Sequence, residues 1–301
     1  MGEDVVGSTR FGGLAEGPRT FRRVPRGLTA NPAAAAPAPE ARPCLERTIE
    51  TEILPRLLLQ HPVAGAGAPT IPGPSGPQPT ELEVDTVAEL ALRSDPASIA
   101  SFVDELRYRG MELDRLYLEL FAPVARRLGA WWEADRCNFA EVTLGMWRLH
   151  SLVAEYSPEW PTLARAGPAP RALLAAMPGS QHTFGLLLVS EYFRRAGWEV
   201  WSDPSADLTL LRQTARQRSF DLIGLSVGTN AHGRALASVI LALREASRHP
   251  DPAFMAGGSL FDQRPELAGT VGIDFVATDA RQAVERAESL IESRSARLAR
   301  R

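Results

Sequence analysis

Near residue 170 the hydrophobic period of this chain changes, and that change constrains the fold more than any other feature. Before it, apolar residues recur every three or four positions. After it, short apolar runs of strand length alternate with helical segments. Residues 171–177, 198–201, 222–227, 253–256 and 275–277 read as strands. Residues 185–196, 207–218, 235–248 and 280–296 read as the helices between and after them. Strands joined by such crossovers lie parallel, which predicts an α/β domain over 171–301 built on a doubly wound sheet of five strands. The ligands of such sheets sit beyond the carboxyl ends of the strands, where the strand order reverses.

The part before the change is helical. Thr80 and Glu83 stand at capping-box spacing and open a stripe through Val84, Val87, Ala88, Ala91 and Leu92. Asp95-Pro96 starts a second stripe, with Ile99, Phe102, Val103 and Leu106 on one face, and Gly110 ends it. A third stripe runs from Leu113 through Leu120 and Leu128 to Trp131. A fourth runs from Phe139 through Met146 to Val153 and is closed by Pro158. Four such stripes can be buried only against one another, which predicts a small antiparallel bundle over 80–157 and a linker at 158–170. The fold class expected is therefore α/β: an N-terminal four-helix bundle followed by a flavodoxin-like (Rossmann-like), doubly wound, parallel five-stranded sheet.

Upstream, residues 30–43 are eleven of fourteen Ala or Pro, and 1–29 are rich in Gly and Arg, so 1–43 reads as a disordered arm. Leu45, Ile49, Ile53 and Leu57, interrupted by Pro55, read as a kinked helix over 44–61. Ten Pro or Gly in the eighteen residues of 62–79 make a linker.

Composition removes several functions. All thirty-three basic residues are arginine, so a Walker A loop and any chemistry through a lysine imine are excluded. With a formal charge of −3 there is no basic excess for a phosphate backbone, and sequence-specific DNA binding is not expected. Cys44 and Cys137 fit no zinc spacing and read as free thiols. No apolar run is long enough to span a membrane and no secretory leader is evident, so a cytoplasmic protein without a membrane partner is expected.

Three loops fall on the binding edge of the predicted sheet: residues 178–185 after the first strand, Ser226-Val227-Gly228 after the third, and Gly257-Gly258-Ser259 after the fourth. A dinucleotide site wants GxGxxG in the first loop, and only the last glycine is there. A phosphoacceptor domain wants an acidic residue ending a central strand, where Met177-Pro178 stands instead. Ser180 and Thr183 alone make a poor phosphate loop. What remains is a crevice with one imidazole, one hydroxyl and two glycines.

Those residues resemble the cobalamin-binding domain, whose pattern is DxHxxG, about forty residues, SxL, under thirty residues, and GG. Here Ser180-Gln181-His182-Thr183-Phe184-Gly185 is followed after forty residues by Ser226-Val227-Gly228, and after twenty-eight more by Gly257-Gly258. The resemblance implies that His182 is the lower axial ligand to cobalt, that Ser180, Gln181, Thr183 and Gly185 shape its loop, and that Ser226, Val227, Gly228, Gly257 and Gly258 line the crevice for the cofactor's nucleotide tail. Ser180 departs from the aspartate of the pattern, which removes a charged partner for the imidazole. Leu128-Gly129-Ala130-Trp131-Trp132 is similar to the LGxxW element of helical corrinoid caps, which implies that Trp131 or Trp132 covers the upper face of the corrin. The Glu-His pair that follows this element in adenosylcobalamin photosensors is replaced by Glu141-Val142-Thr143.

Residues 52–59, 139–149 and 179–183 look like the AerR/PpaA family, cobalamin- or haem-binding antirepressors of photosynthesis genes. That resemblance implies a light- or redox-responsive transcriptional regulator, a photoreceptor rather than an enzyme, acting through a repressor protein. Haem in the same crevice, or a corrinoid methyl carrier, are the alternatives. The remaining histidines have blander readings. His232 is a crevice wall or a helix cap, while His150 and His61 are structural. At least one of Trp131, Trp132 and Trp147 belongs to the bundle core. Cys137 is a helix-start thiol, and the arginines of 294–301 form a solvated face.

Overall fold

The computed structural model describes residues 76–298 apart from 94, 166, 270 and 271. The arm expected at 1–43, the kinked helix at 44–61 with Cys44 and His61, and nearly all of the 62–79 linker lie outside the described residues. The fold class is the one predicted: a helical bundle followed by a five-stranded, wholly parallel sheet with helices on both faces.

The first helix, α1 (Glu81–Arg93), begins at a closed capping box, in which Glu83 N–H donates to Thr80 Oγ1 (3.2 Å) and Thr80 N–H to the Glu83 carboxylate (2.7 Å). Helix α2 (Pro96–Tyr108) is capped by Asp95, which accepts from Ser98 N–H at 3.0 Å. The third stripe becomes α3 (Leu113–Arg115), a π-helical turn over Leu116–Phe121, and α4 (Ala122–Glu133), without a break. Pro123 gives the reason for the widened turn. It has no N–H to donate, and its ring crowds the carbonyl of Glu119, inside the π segment. Helix α5 (Phe139–Tyr156) opens on a second capping box the sequence reading missed, Asn138 with Glu141. Substituting Asn138 by Ala is expected to lower the stability of the protein by about 1 kcal/mol, measured as a shift of the urea midpoint. A midpoint that does not move would remove the cap from the account.

The second half runs β1 (Arg171–Ala176), α6 (Phe184–Arg195), β2 (Glu199–Ser202), α7 (Leu208–Gln217) and β3 (Leu222–Ser226). It continues with α8 (Asn230–Ala246), β4 (Ala253–Gly257), α9 (Ser259–Gln263), β5 (Phe275–Ala277) and α10 (Ala280–Leu298). The strand order is β2-β1-β3-β4-β5, so the direction of winding reverses between β1 and β3. Register places Ala176 beside Ser226, Ser226 beside Gly257, and Gly257 beside Ala277. Four strands therefore end at one level, and the loops that follow leave the sheet side by side. Helix α8 starts five residues before the predicted boundary, because Gly233 does not break it. A Cβ there would stand 2.5 Å from Leu260 Cδ2, so the glycine lets α8 approach α9.

Alternate strand residues face opposite layers. Leu173, Ile223, Leu225 and Phe254 pack against Leu211 and Ala215 of α7 and Leu236 and Ile240 of α8. Leu174, Leu222 and Met255 face α6 and α10, and that core is continuous with the core of the bundle. Tyr192 of α6 donates to the main-chain carbonyl of Asp114 (2.9 Å) and to its carboxylate, which also pairs with Arg281 of α10. Trp160 stands edge-on to both Tyr117 (4.9 Å) and Tyr192 (4.7 Å), with Arg195 stacked on its ring at 4.6 Å. Burial, with Asp114 beside it, pushes the Tyr192 hydroxyl far above the ordinary tyrosine range and keeps it a donor.

Candidate functional site

The level ends of β1, β3 and β4 bring the three sequence-marked loops onto one edge. After β1 the chain turns at Gly179 (φ +82°), where Ser180 N–H donates to the Met177 carbonyl at 2.9 Å. Ser180 Oγ then accepts from the backbone N–H of His182 at 3.3 Å. The hydroxyl thus fixes the loop, and no carboxylate bonds the imidazole. His182 is exposed, and its ring makes no hydrogen bond or ion pair among the described residues. It lies over the β3 loop, since a Cβ on Gly228 would stand 3.6 Å from both Cγ and Nδ1 of the ring. Gln181 is exposed, Thr183 precedes α6 without a side-chain cap, and Gly185 faces open space.

On the β3 side, Ser226 ends its strand half-buried, with its carbonyl accepting Met177 N–H at 3.0 Å and its hydroxyl unused. Val227 behaves differently from its neighbours in the motif. Its side chain is buried in the α7/α8 layer, so it reaches the crevice only through its backbone. That backbone is what demands glycine next door. Gly258 has φ +103°, and a Cβ there would stand 2.6 Å from Val227 O, closer than any side chain tolerates. A Cβ on Gly257 would meet the Ala277 carbonyl at 2.9 Å. Ser259 Oγ donates to the Gly228 carbonyl at 3.2 Å and ties the two loops together.

The two candidate tryptophans separate. Trp131 is only 7% exposed and fills the bundle core under the Arg136 guanidinium (4.5 Å), whereas Trp132 is 48% exposed. Four further residues were not assigned to the site from the sequence. Phe139, Thr143, Trp147 and His150 fall on one side of α5, and Phe139 and Trp147 are exposed large aromatics. The stripe ends at His150, whose Nδ1–H donates to the Met146 carbonyl at 2.8 Å and whose ring meets Phe184, two residues past His182, at 5.1 Å. It could have been found by continuing the helical count past the core positions. His232 lies in the first turn of α8, where its N–H donates to the capping Thr229 hydroxyl at 3.3 Å, and its Nδ1 is buried without a partner.

Chemically, the edge offers one open imidazole, one open hydroxyl and glycine-lined backbone, and the exposed side of α5 meets the start of α6 at His150. Among the described residues no three His, Cys, Asp or Glu come together as a metal cage. One imidazole can therefore supply a single bond to a metal that brings its other ligands with it. Burial raises the thiol pKa of Cys137 above its ordinary value. No helix among the described residues is long and apolar enough to cross a membrane.

Residues 170–288 match the family model described as the B12 binding domain. The chain is 30% identical over 184 residues to the uncharacterized 20.5 kDa protein in the bchF-crtJ intergenic region of Rhodobacter capsulatus, covering 58% of this chain and 92% of that protein. Among solved structures it is similar to the monomethylamine corrinoid protein of Methanosarcina barkeri, with a TM-score of 0.59 at 14% identity, covering 70% of this chain and 99% of that one. At that identity the likeness concerns the fold.

Proposed function

Because the chain belongs to the family of the Rhodobacter capsulatus bchF-crtJ intergenic-region protein, the AerR/PpaA type, we propose that it is a cobalamin-binding regulatory protein, not an enzyme, whose cofactor state alters its contact with a transcriptional repressor. The observation that carries the cofactor reading is the level edge on which an unpartnered imidazole, an unused hydroxyl and two glycines with no room for a Cβ stand together. His182 would hold the cobalt through an imidazole nitrogen. Ser226 and the backbone at Gly257 and Gly258 would receive the nucleotide tail. Trp132 and the α5 stripe supply apolar surface of the kind a flat macrocycle needs. The donor set fits the cofactor. When bound, cobalamin would supply a cobalt centre that can exchange a ligand or release one on illumination.

The residues also support a binding role over methyl transfer. With Ser180 engaged by the loop backbone, no carboxylate tunes the basicity of the imidazole, so the ligand bond is set by His182 alone. Incubating the purified protein with hydroxocobalamin, and separately with haemin, tests the cofactor half. Equimolar retention of cobalamin through gel filtration is expected, and retention of haemin only, or of neither, overturns it. Transfer of a methyl group from the loaded protein to a thiol would return the chain to the carrier class. For the regulatory half, the loaded protein, dark or illuminated, is titrated into a repressor–operator complex from the same genome. Release of operator is expected, and unchanged retention in both conditions refutes that half.

A further inference from the structure

On the sheet face opposite the bundle, α7 carries Arg212 and Arg216, and Arg218 follows at its end. The only acid at this helix is Asp207, whose carboxylate is already engaged by Leu210 N–H at 2.7 Å. None of the three arginines forms an ion pair among the described residues, although the chain as a whole is negative. The last turn of a helix attracts cations, which accounts for Arg216 and Arg218. It does not account for Arg212, more than a turn earlier. Arg148, Arg195 and Arg281 likewise bury an Nε without a partner, but each uses other atoms in a carbonyl bond, a ring contact or an ion pair. The Nε of Arg212 is buried and unpartnered, and the rest of the guanidinium makes no hydrogen bond, ring contact or ion pair among the described residues. A buried donor left without an acceptor is costly unless something outside the chain satisfies it.

Arg212 and Arg216 line an open groove of about 450 Å³ together with Thr209, Gln213 and Gln217. Leu210 on the same helix is exposed, and so is Leu241, 57% open on the neighbouring helix α8. We infer that this face of α7, with the adjoining surface of α8, docks an acidic amphipathic segment of a partner protein. The planar fork of an arginine matches a carboxylate in a bidentate pair, and the glutamine amides add donors beside it. The exposed leucines choose between polyanions. A sugar–phosphate backbone has no apolar side chain to set against them and draws its affinity from many phosphates, which a chain of net charge −3 opposes. A protein segment bearing both carboxylates and leucines satisfies the whole face. This deepens the regulatory reading by naming where the partner sits and with what chemistry, and it rests on that reading only for there being a partner.

The test is fluorescence anisotropy with the cobalamin-loaded full chain. One probe is a fluorescein-labelled amphipathic peptide of glutamate and leucine at helical spacing, the other a random-sequence DNA duplex, and cobalamin uptake is read on every sample. Peptide binding that weakens with added salt is expected, and the double variant Arg212→Glu/Arg216→Glu should weaken it by about tenfold or more. Arg212→Gln/Arg216→Gln should fall between the two. Cobalamin uptake should match the wild type in both variants, because neither residue touches the crevice. Absent peptide binding, binding indifferent to charge reversal, or preference for the duplex overturns the inference. Failed uptake of cobalamin by the wild type sinks the cofactor reading and leaves the docking result to stand or fall alone.

Discussion

His182→Ala is expected to lose cobalamin affinity by about 100-fold or more, since even partners one bond removed from a metal ligand are commonly worth 10–100-fold. The visible spectrum of whatever cofactor remains should lose the signature of an imidazole-bound cobalt. Stability should move by no more than about 0.5 kcal/mol, because the side chain is exposed and its ring bonds nothing among the described residues. That combination separates a ligand from a structural histidine. Free imidazole added to the variant should restore part of the spectrum, as it fills the space the ring leaves over Gly228. A variant that keeps the wild-type spectrum would falsify the axial assignment.

Asp114→Ala should produce the largest loss of stability, about 3–5 kcal/mol, as is typical when one partner of a buried ion pair is removed. The carboxylate is 3% exposed, and it accepts from Tyr192 and pairs with Arg281. Its removal leaves the part-buried Arg281 guanidinium without its carboxylate and the Tyr192 hydroxyl with only the main-chain carbonyl of residue 114. Tyr192→Phe should cost about 1 kcal/mol, the ordinary worth of one hydrogen bond. Because Asp114 belongs to α3 while its partners belong to α6 and α10, the change should also loosen the bundle on the sheet and weaken cobalamin uptake. Urea denaturation followed by tryptophan fluorescence reads the first effect. An unchanged midpoint would mean that the cluster is dispensable to the junction.

Much of the fold was legible because each element is announced by its own residues. Asp95-Pro96 marks a helix start whatever surrounds it, and β1, β3 and β4 are apolar runs of strand length bounded by Pro, Gly or Asp. Misreadings occurred where a residue's meaning depended on a neighbour distant in sequence. The start of α8 was placed five residues late, and only the packing of Leu260 against Gly233 shows why the first turn carries a glycine, whereas the Asn138–Glu141 cap is local and was missed all the same. For the site, the reading of strand ends placed the loops carrying His182, Ser226 and Gly257-Gly258 beyond β1, β3 and β4, and register in the sheet brings those loops to one edge. It could not tell Trp131 from Trp132, since adjacent helical residues differ by about 100° in direction and only the packing of α4 fixes which one turns inward.

The sequence alone determined that this chain builds helices and then a parallel sheet, and that His182 stands on the loop beyond the carboxyl end of the first strand. Those outcomes follow from periodicity and short motifs, which act over a few residues at a time. Tertiary structure decided that Ser180 holds the loop backbone rather than the imidazole, that Val227 faces the core, and that an acid from the bundle is clamped by a tyrosine and an arginine 78 and 167 positions away. It also decided that Arg212 is left unpaired among the described residues. Burial and pairing are properties of what the folded chain brings together, and no local pattern encodes them.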